Sequence, residues 1–117
     1  MKILVLTTLI AIITLANGCV QRHISITKTS SGFFEPTDAN FVKILQTQPS
    51  REFIELGAVL TSGWKMQESN SMYNGIRTKA GQIGADAVYI QSQGVAMQGD
   101  ITYRWAEGVA IKYKEPN

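Results

Sequence analysis

The sequence predicts a small α+β domain of two layers, with one helix lying on a small, mostly antiparallel or mixed sheet. Three observations predict it. Between about residues 71 and 83, Met72, Ile76, Ala80 and Ile83 fall at i, i+4, i+8 and i+11, which makes one apolar helical stripe. On both sides of that stripe lie β-branched and aromatic runs of period two. The first eighteen of the 117 residues read as a leader, and the 99 that remain suffice for one small domain but not for two.

The elements follow in the order β-β-α-β-β. Phe41 to Leu45 reads as a first strand, closed by Pro49-Ser50. Phe53 to Leu60 reads as a second, with Ile54, Leu56, Ala58 and Leu60 on one face until Ser62-Gly63 breaks the pattern. In the helix, Ser69, Asn70 or Ser71 can serve as N-cap, and Gly84 suits the left-handed position after the last turn. Gly75 and Gly81 cost about 1 kcal/mol each relative to alanine, so they predict a close approach to the sheet. Ala85 to Ile90 is the next strand, with Val88 and Ile90 on one face. In the last element, Ile101 to Lys114, the odd positions Ile101, Tyr103, Trp105, Val109, Ile111 and Tyr113 form an apolar row. Arg104, Lys112 and Lys114 alternate with that row and predict a solvated outer face. Glu107-Gly108 interrupts the pattern, so either a bulge or a turn into a separate strand is expected.

Ahead of this domain the composition changes. Residues 20–40 are rich in Ser, Thr, Gly, Asn, Asp and Pro, with a brief alternation at Ile24 and Ile26, and read as a linker. The apolar run Ile3–Leu15 would reach only about 20 Å as a helix, short of the roughly 30 Å of a hydrocarbon core. That length fits the middle of a secretory signal. Ala16 and Gly18 stand at −3 and −1 before Cys19, the sole cysteine. Three fates are open to Cys19: lipidation as the first mature residue, a free terminal thiol after ordinary cleavage, or retention in a short uncleaved anchor. The first is favoured, because an unpaired thiol is a liability in an oxidising compartment. The expected division is a lipoprotein signal peptide over 1–18, a lipidated N-terminus and flexible linker over 19–40, and one domain over 41–115. The expected place is the bacterial cell envelope, lipid-anchored, facing the periplasm. Val20 follows the cysteine rather than aspartate, which makes the outer membrane the default.

Charge and side-chain chemistry exclude several classes of function. Once Lys2 leaves with the leader, ten Lys and Arg face nine Asp and Glu, interspersed, which gives no electrostatic reason to expect nucleic acid. A lone His23 leaves no His/Cys cluster with metal-ligand spacing and no base for a nucleophile, so no cofactor, metal or catalytic residue is assigned. Asp86 reads as a structural aspartate that bonds backbone N–H groups where helix passes to strand, and with Gly84 it marks that turn. Trp64, Tyr89, Tyr103 and Trp105 are candidates for an apolar interaction surface, although aromatics in small sheets more often form core or cross-strand pairs.

The segment Ile54-Glu55-Leu56-Gly57-Ala58-Val59, with the helix end Lys79-Ala80-Gly81-Gln82-Ile83-Gly84-Ala85-Asp86-Ala87-Val88, resembles a group of small bacterial envelope domains carrying a Gly-Ala-Asp-Ala-Val motif. The group includes uncharacterised lipoproteins, pentameric YbjQ-type proteins and RcsF-type outer-membrane stress sensors. The resemblance covers about residues 52 to 113. RcsF-type domains are stapled by disulfides, which a chain whose sole cysteine is Cys19 cannot form, and the heavy-metal label of the YbjQ type finds no ligand set here. The expected function is a non-enzymatic, membrane-anchored envelope lipoprotein that presents a small protein-interaction domain for sensing or assembly. Its expected partners are the membrane, through the lipid on Cys19, and another envelope protein or a second copy. The alternative is a small-molecule, lipid or ion-binding module of the envelope that uses the aromatic residues as a groove.

Overall fold

The computed structural model describes residues 21–114, so the expected signal peptide and lipidation site, Cys19, lie outside the described residues. The chain forms β1 (His23–Lys28), a 3-10 turn (Ala39–Phe41), β2 (Lys43–Leu45), β3 (Phe53–Trp64), a helix α1 (Ser69–Gln82), β4 (Ala87–Gln98) and β5 (Ile101–Tyr113). The strands make one mixed sheet in the order β1-β3-β5-β4-β2. β2 and β4 pair in parallel; the other neighbours are antiparallel. The protein is therefore an α+β domain with one helix on a five-stranded mixed sheet. β3, α1 and β4 form a β-α-β unit with β5 inserted between its two strands.

The helix sits where its stripe can bury. Met72, Ile76 and Ala80 pack on Leu56, Val59, Val88, Ile90, Ala106 and Ala110. Each fully buried side chain of the size of Leu56, Met72 or Ile76 contributes about 1.5–3 kcal/mol. The helix begins two residues before the expected Ser71. Glu68 holds the N-cap position without a side-chain capping bond, so none of the three expected caps is used. At the other end Gly84 has φ +88°. Gly84 N donates to Gly81 O at 3.0 Å and Ala85 N donates to Ala80 O at 3.1 Å. That is a Schellman closure, which an L side chain at position 84 would strain.

Three expectations about the sheet need correction. Residues 23–28, expected in the flexible linker, form β1, with His23 opposite Ser62 and Lys28 opposite Gly57. Ile24 and Ile26 bury against the helix-side core, and the segment behind them is tied down by Thr29 N–Leu56 O and Thr37 N–Gly81 O bonds and by Phe34 in the same core. In β3 the expected row Ala58, Leu60 is exposed, and Val59 and Thr61 are buried instead. A bulge between Glu55 and Gly57 inserts one residue and turns over the side chains up to Thr61, and a second between Thr61 and Trp64 returns Trp64 to the face of Leu56.

β5 is one continuous strand. Its partners β3 and β4 carry the extra residues, and β5 itself alternates without a break. The even positions Ala106, Gly108 and Ala110 lie under the helix, and the bulky odd row points away from it. The face assignment in β5 is thus the reverse of that expected. Small residues lie where the helix comes close, which is why the large ones occupy the other side. Arg104 and Lys112 stand at the two ends of the helix-side row, where the helix no longer covers the sheet. Arg104 Nε donates to Met66 O, and Lys112 lies over Phe34.

Candidate functional site: the helix-free sheet face

The face opposite α1 has an apolar cluster of its own. The register pairs Ala87 with Ile111 and Tyr89 with Val109. These four side chains are buried, with Leu45, Phe53 and Tyr113 packed around them. The Phe53 and Tyr89 rings meet at a centroid distance of 5.8 Å and an angle of 59°, in the tilted range that aromatic pairs prefer. The Arg51 guanidinium stands 4.1 Å over the Tyr113 ring. Burial, and then the carboxylate of Glu55, push the Tyr89 phenol above its ordinary value, so it stays a neutral hydrogen-bonding group. Towards β1 the face opens. Leu60 is 45% exposed, and Ser25, Thr27, Ala58, Gln91 and Glu107 surround it in a shallow depression of about 370 Å³.

At the end of the sheet where β5 finishes, a cleft of about 610 Å³ is lined by Phe41, Lys43, Arg51, Asp86, Lys112, Tyr113 and Lys114. Asp86 is tied into the backbone there. Its Oδ2 accepts from Tyr113 N at 2.9 Å, its own N donates to Ile111 O, and its carbonyl receives Lys43 N. Oδ1 stands 3.8 Å from Lys112 Nζ. The aspartate thus joins the start of β4 to the end of β5 and the start of β2. Among the described residues that line the cleft, four cations outnumber one carboxylate.

The opposite end carries Trp64. Its Nε1 donates to Thr61 Oγ1 at 2.6 Å, and Thr61 Oγ1 donates to the His23 carbonyl at 2.7 Å. Arg22 lies over the Trp64 ring, 5.1 Å from its centroid, and pairs with Glu68. Glu68 Oε1 also accepts from Lys65 N at 2.8 Å; this bond, and then Arg22, hold the carboxyl below the usual glutamate value. Beyond this end the β4–β5 hairpin projects to a two-residue turn, Gly99-Asp100, with Gly99 at φ +62°. Near its base Trp105 lies across Gly94, which leaves room for the indole.

The four expected aromatic residues do not form one groove. Tyr89, Tyr103 and Trp105 share the helix-free face, but Trp64 is buried on the helix side. The two bulges of β3 cancel in parity, so Trp64 keeps the face of Ile54 and Leu56. Phe53, Val109, Ile111 and Tyr113 complete the helix-free face; the last three belong to the apolar odd row of β5, and Phe53 comes from the start of β3. His23 begins β1, and among the described residues no group of three or more His, Cys, Asp or Glu could hold a metal.

No protein-family model matches this chain, and no curated protein matches it. Its fold is similar to that in a crystal structure of the Francisella virulence factor FvfA in an orthorhombic form, with a TM-score of 0.56 and 18% sequence identity. That match covers 77% of this chain and 97% of the other.

Proposed function

We propose that this chain is a non-enzymatic lipoprotein of the bacterial envelope, held at a membrane through Cys19, whose helix-free sheet face binds another envelope protein or a second copy. The observation that supports it is the apolar character of a face that no second layer covers among the described residues. Leu60 and Ala58 are exposed beside a buried cluster, Ala87–Tyr89–Val109–Ile111, that already excludes water. Such a face needs little reordering on binding, so contacts made there lose little side-chain entropy. Kinship with the YbjQ-type and RcsF-type domains belongs to the same proposal.

The test has two parts. Intact mass of the natural protein reads acylation of Cys19. A photo-crosslinking residue placed at Leu60 in living cells, compared with one at exposed Lys79 on the helix, reads the face. Adducts confined to position 60 are expected, and identical patterns at both positions would refute the reading. A second reading, an anionic-ligand module, is favoured by the cleft lined by Lys43, Arg51, Lys112 and Lys114. A saturable thermal shift with an anionic ligand, lost in Lys112→Ala, would select it.

A further inference from the structure

We propose, resting on the lipid anchor proposed above, that the projecting end of the β4–β5 hairpin is a membrane-insertion tip that seats in the lipid interface beside the acyl chains of Cys19. The first ground is where the tether leaves the fold. His23 pairs with Ser62 near the end of β3, and the carbonyl of Gln21 lies against Gly63. Arg22 is clamped between the Trp64 ring and Glu68. Cys19 is two residues beyond Gln21, a reach of at most about 7 Å. With no slack, an anchored chain must keep this end of the sheet against the bilayer.

The second ground is what that end exposes. The last pair between β3 and β5 is Trp64 with Arg104, and β5 continues three residues further to Ile101, about 10 Å of unsupported hairpin. Met66, Val95, Met97 and Ile101 are 39, 48, 71 and 44% exposed, and all four lie here. Among the described residues the other exposed large hydrophobics are Phe33, Phe41 and Leu60.

The third ground separates lipid from a protein partner. Val95 pairs with Arg104 on the helix side of the ribbon and Met97 follows it there, while Ile101 shares the other side with Tyr103 and Trp105. A second sheet or helix could cover one side of such a ribbon. A fluid interface surrounds both. Tyr103 and Trp105, set back from the turn, have the amphipathic rings that favour the headgroup level. Lys65 and Arg104 stand behind the tip, where lipid phosphates would lie. Asp100, the charge in the turn, limits the depth, so insertion stops at the headgroup and upper acyl region.

The test uses the chain from Cys19 to Asn117, which contains the whole described domain, with Cys19 coupled chemically to a maleimide phospholipid in phosphatidylethanolamine–phosphatidylglycerol vesicles. Because the lipid is supplied by hand, the outcome does not depend on whether cells acylate Cys19. Lipids brominated near the headgroup end of the acyl chain should quench the added emission of Met97→Trp at least threefold more than that of Lys114→Trp at the other end of the sheet. In Met97→Asp, an exposed site whose change leaves the core intact, the natural Trp105 emission should lose most of its quenching. Equal quenching at 97 and 114 would overturn the proposal. So would shielding of position 97 that grows with protein density but is not produced by bromolipid, which would mean pairing with a second copy.

Discussion

The α-carbon of Gly63 lies against the main-chain carbonyl of Gln21, and a β-carbon at position 63 would overlap that oxygen. This contact seats the start of β1 on the end of β3. Gly63 also has φ +82°, whereas Gly99 in the hairpin turn has φ +62° and open space, with no atom within 4 Å of where a β-carbon would stand. Gly99→Ala should therefore cost only the backbone penalty of about 1–2 kcal/mol, or some 4–8 °C in Tm per kcal/mol for a domain of this size. Gly63→Ala should cost more and free the first strand, which tryptic cleavage after Arg22 and Lys28 would report. Equal losses in the two variants would mean that the Gln21 contact is not made in solution.

The sheet buries side chains on both faces, and Ile76 and Ile111, each 0% exposed, belong to separate clusters. Ile76→Val and Ile111→Val should each cost about 0.5–1.5 kcal/mol in urea unfolding. Their double variant should lose the sum to within about 0.5 kcal/mol, because the two sites share no partners. A cost for Ile111→Val as small as that of an ordinary surface change would show that the helix-free face is not packed.

Asp86 holds the end of β5 through the Tyr113 amide. Asp86→Ala leaves that donor unpaired and should cost about 1–3 kcal/mol, with faster hydrogen exchange at Tyr113. Asp86→Asn keeps an acceptor oxygen and should restore most of the protection. If both variants exchange alike, the carboxylate charge beside Lys112, not the hydrogen bond, is what matters.

The helix was readable because 3.6-residue spacing is a property of the segment alone: Met72, Ile76 and Ala80 reach the core as their spacing implies. The α+β class followed from it. Sheet faces were less readable. One inserted residue near Gly57 moved Ala58 and Leu60 outward and Val59 inward, and no local residue pattern announces a bulge. The bulky row of β5 suggested a core, and it does form one, but on the face away from the helix, since Ala106, Gly108 and Ala110 are what a close helix tolerates. β1 left only Ile24 and Ile26 as a trace, because an edge strand with Ser25 and Thr27 on its open side looks polar in sequence. Of the aromatic candidates, three share a face and Trp64 does not, because it has the even parity of Ile54 and Leu56, which the two bulges of β3 together leave unchanged.

Glu68 links acidity to the seating of the N-terminal strand. Its carboxylate accepts from Lys65 N and pairs with Arg22, so its proton is held less tightly in the folded chain than in the unfolded one. A folded value below the unfolded one contributes stability above the ordinary glutamate range, and that contribution is lost as pH falls through the folded value. Glu68→Gln should therefore be less stable than the wild type at pH 7 and indistinguishable from it near pH 3, with the two curves converging across the acid range. Because the pair is solvent-exposed and screened, raising the salt concentration should shrink the difference at pH 7. A gap that persists unchanged at pH 3 would assign the effect to helix start geometry, where Glu68 occupies the N-cap, and not to its charge.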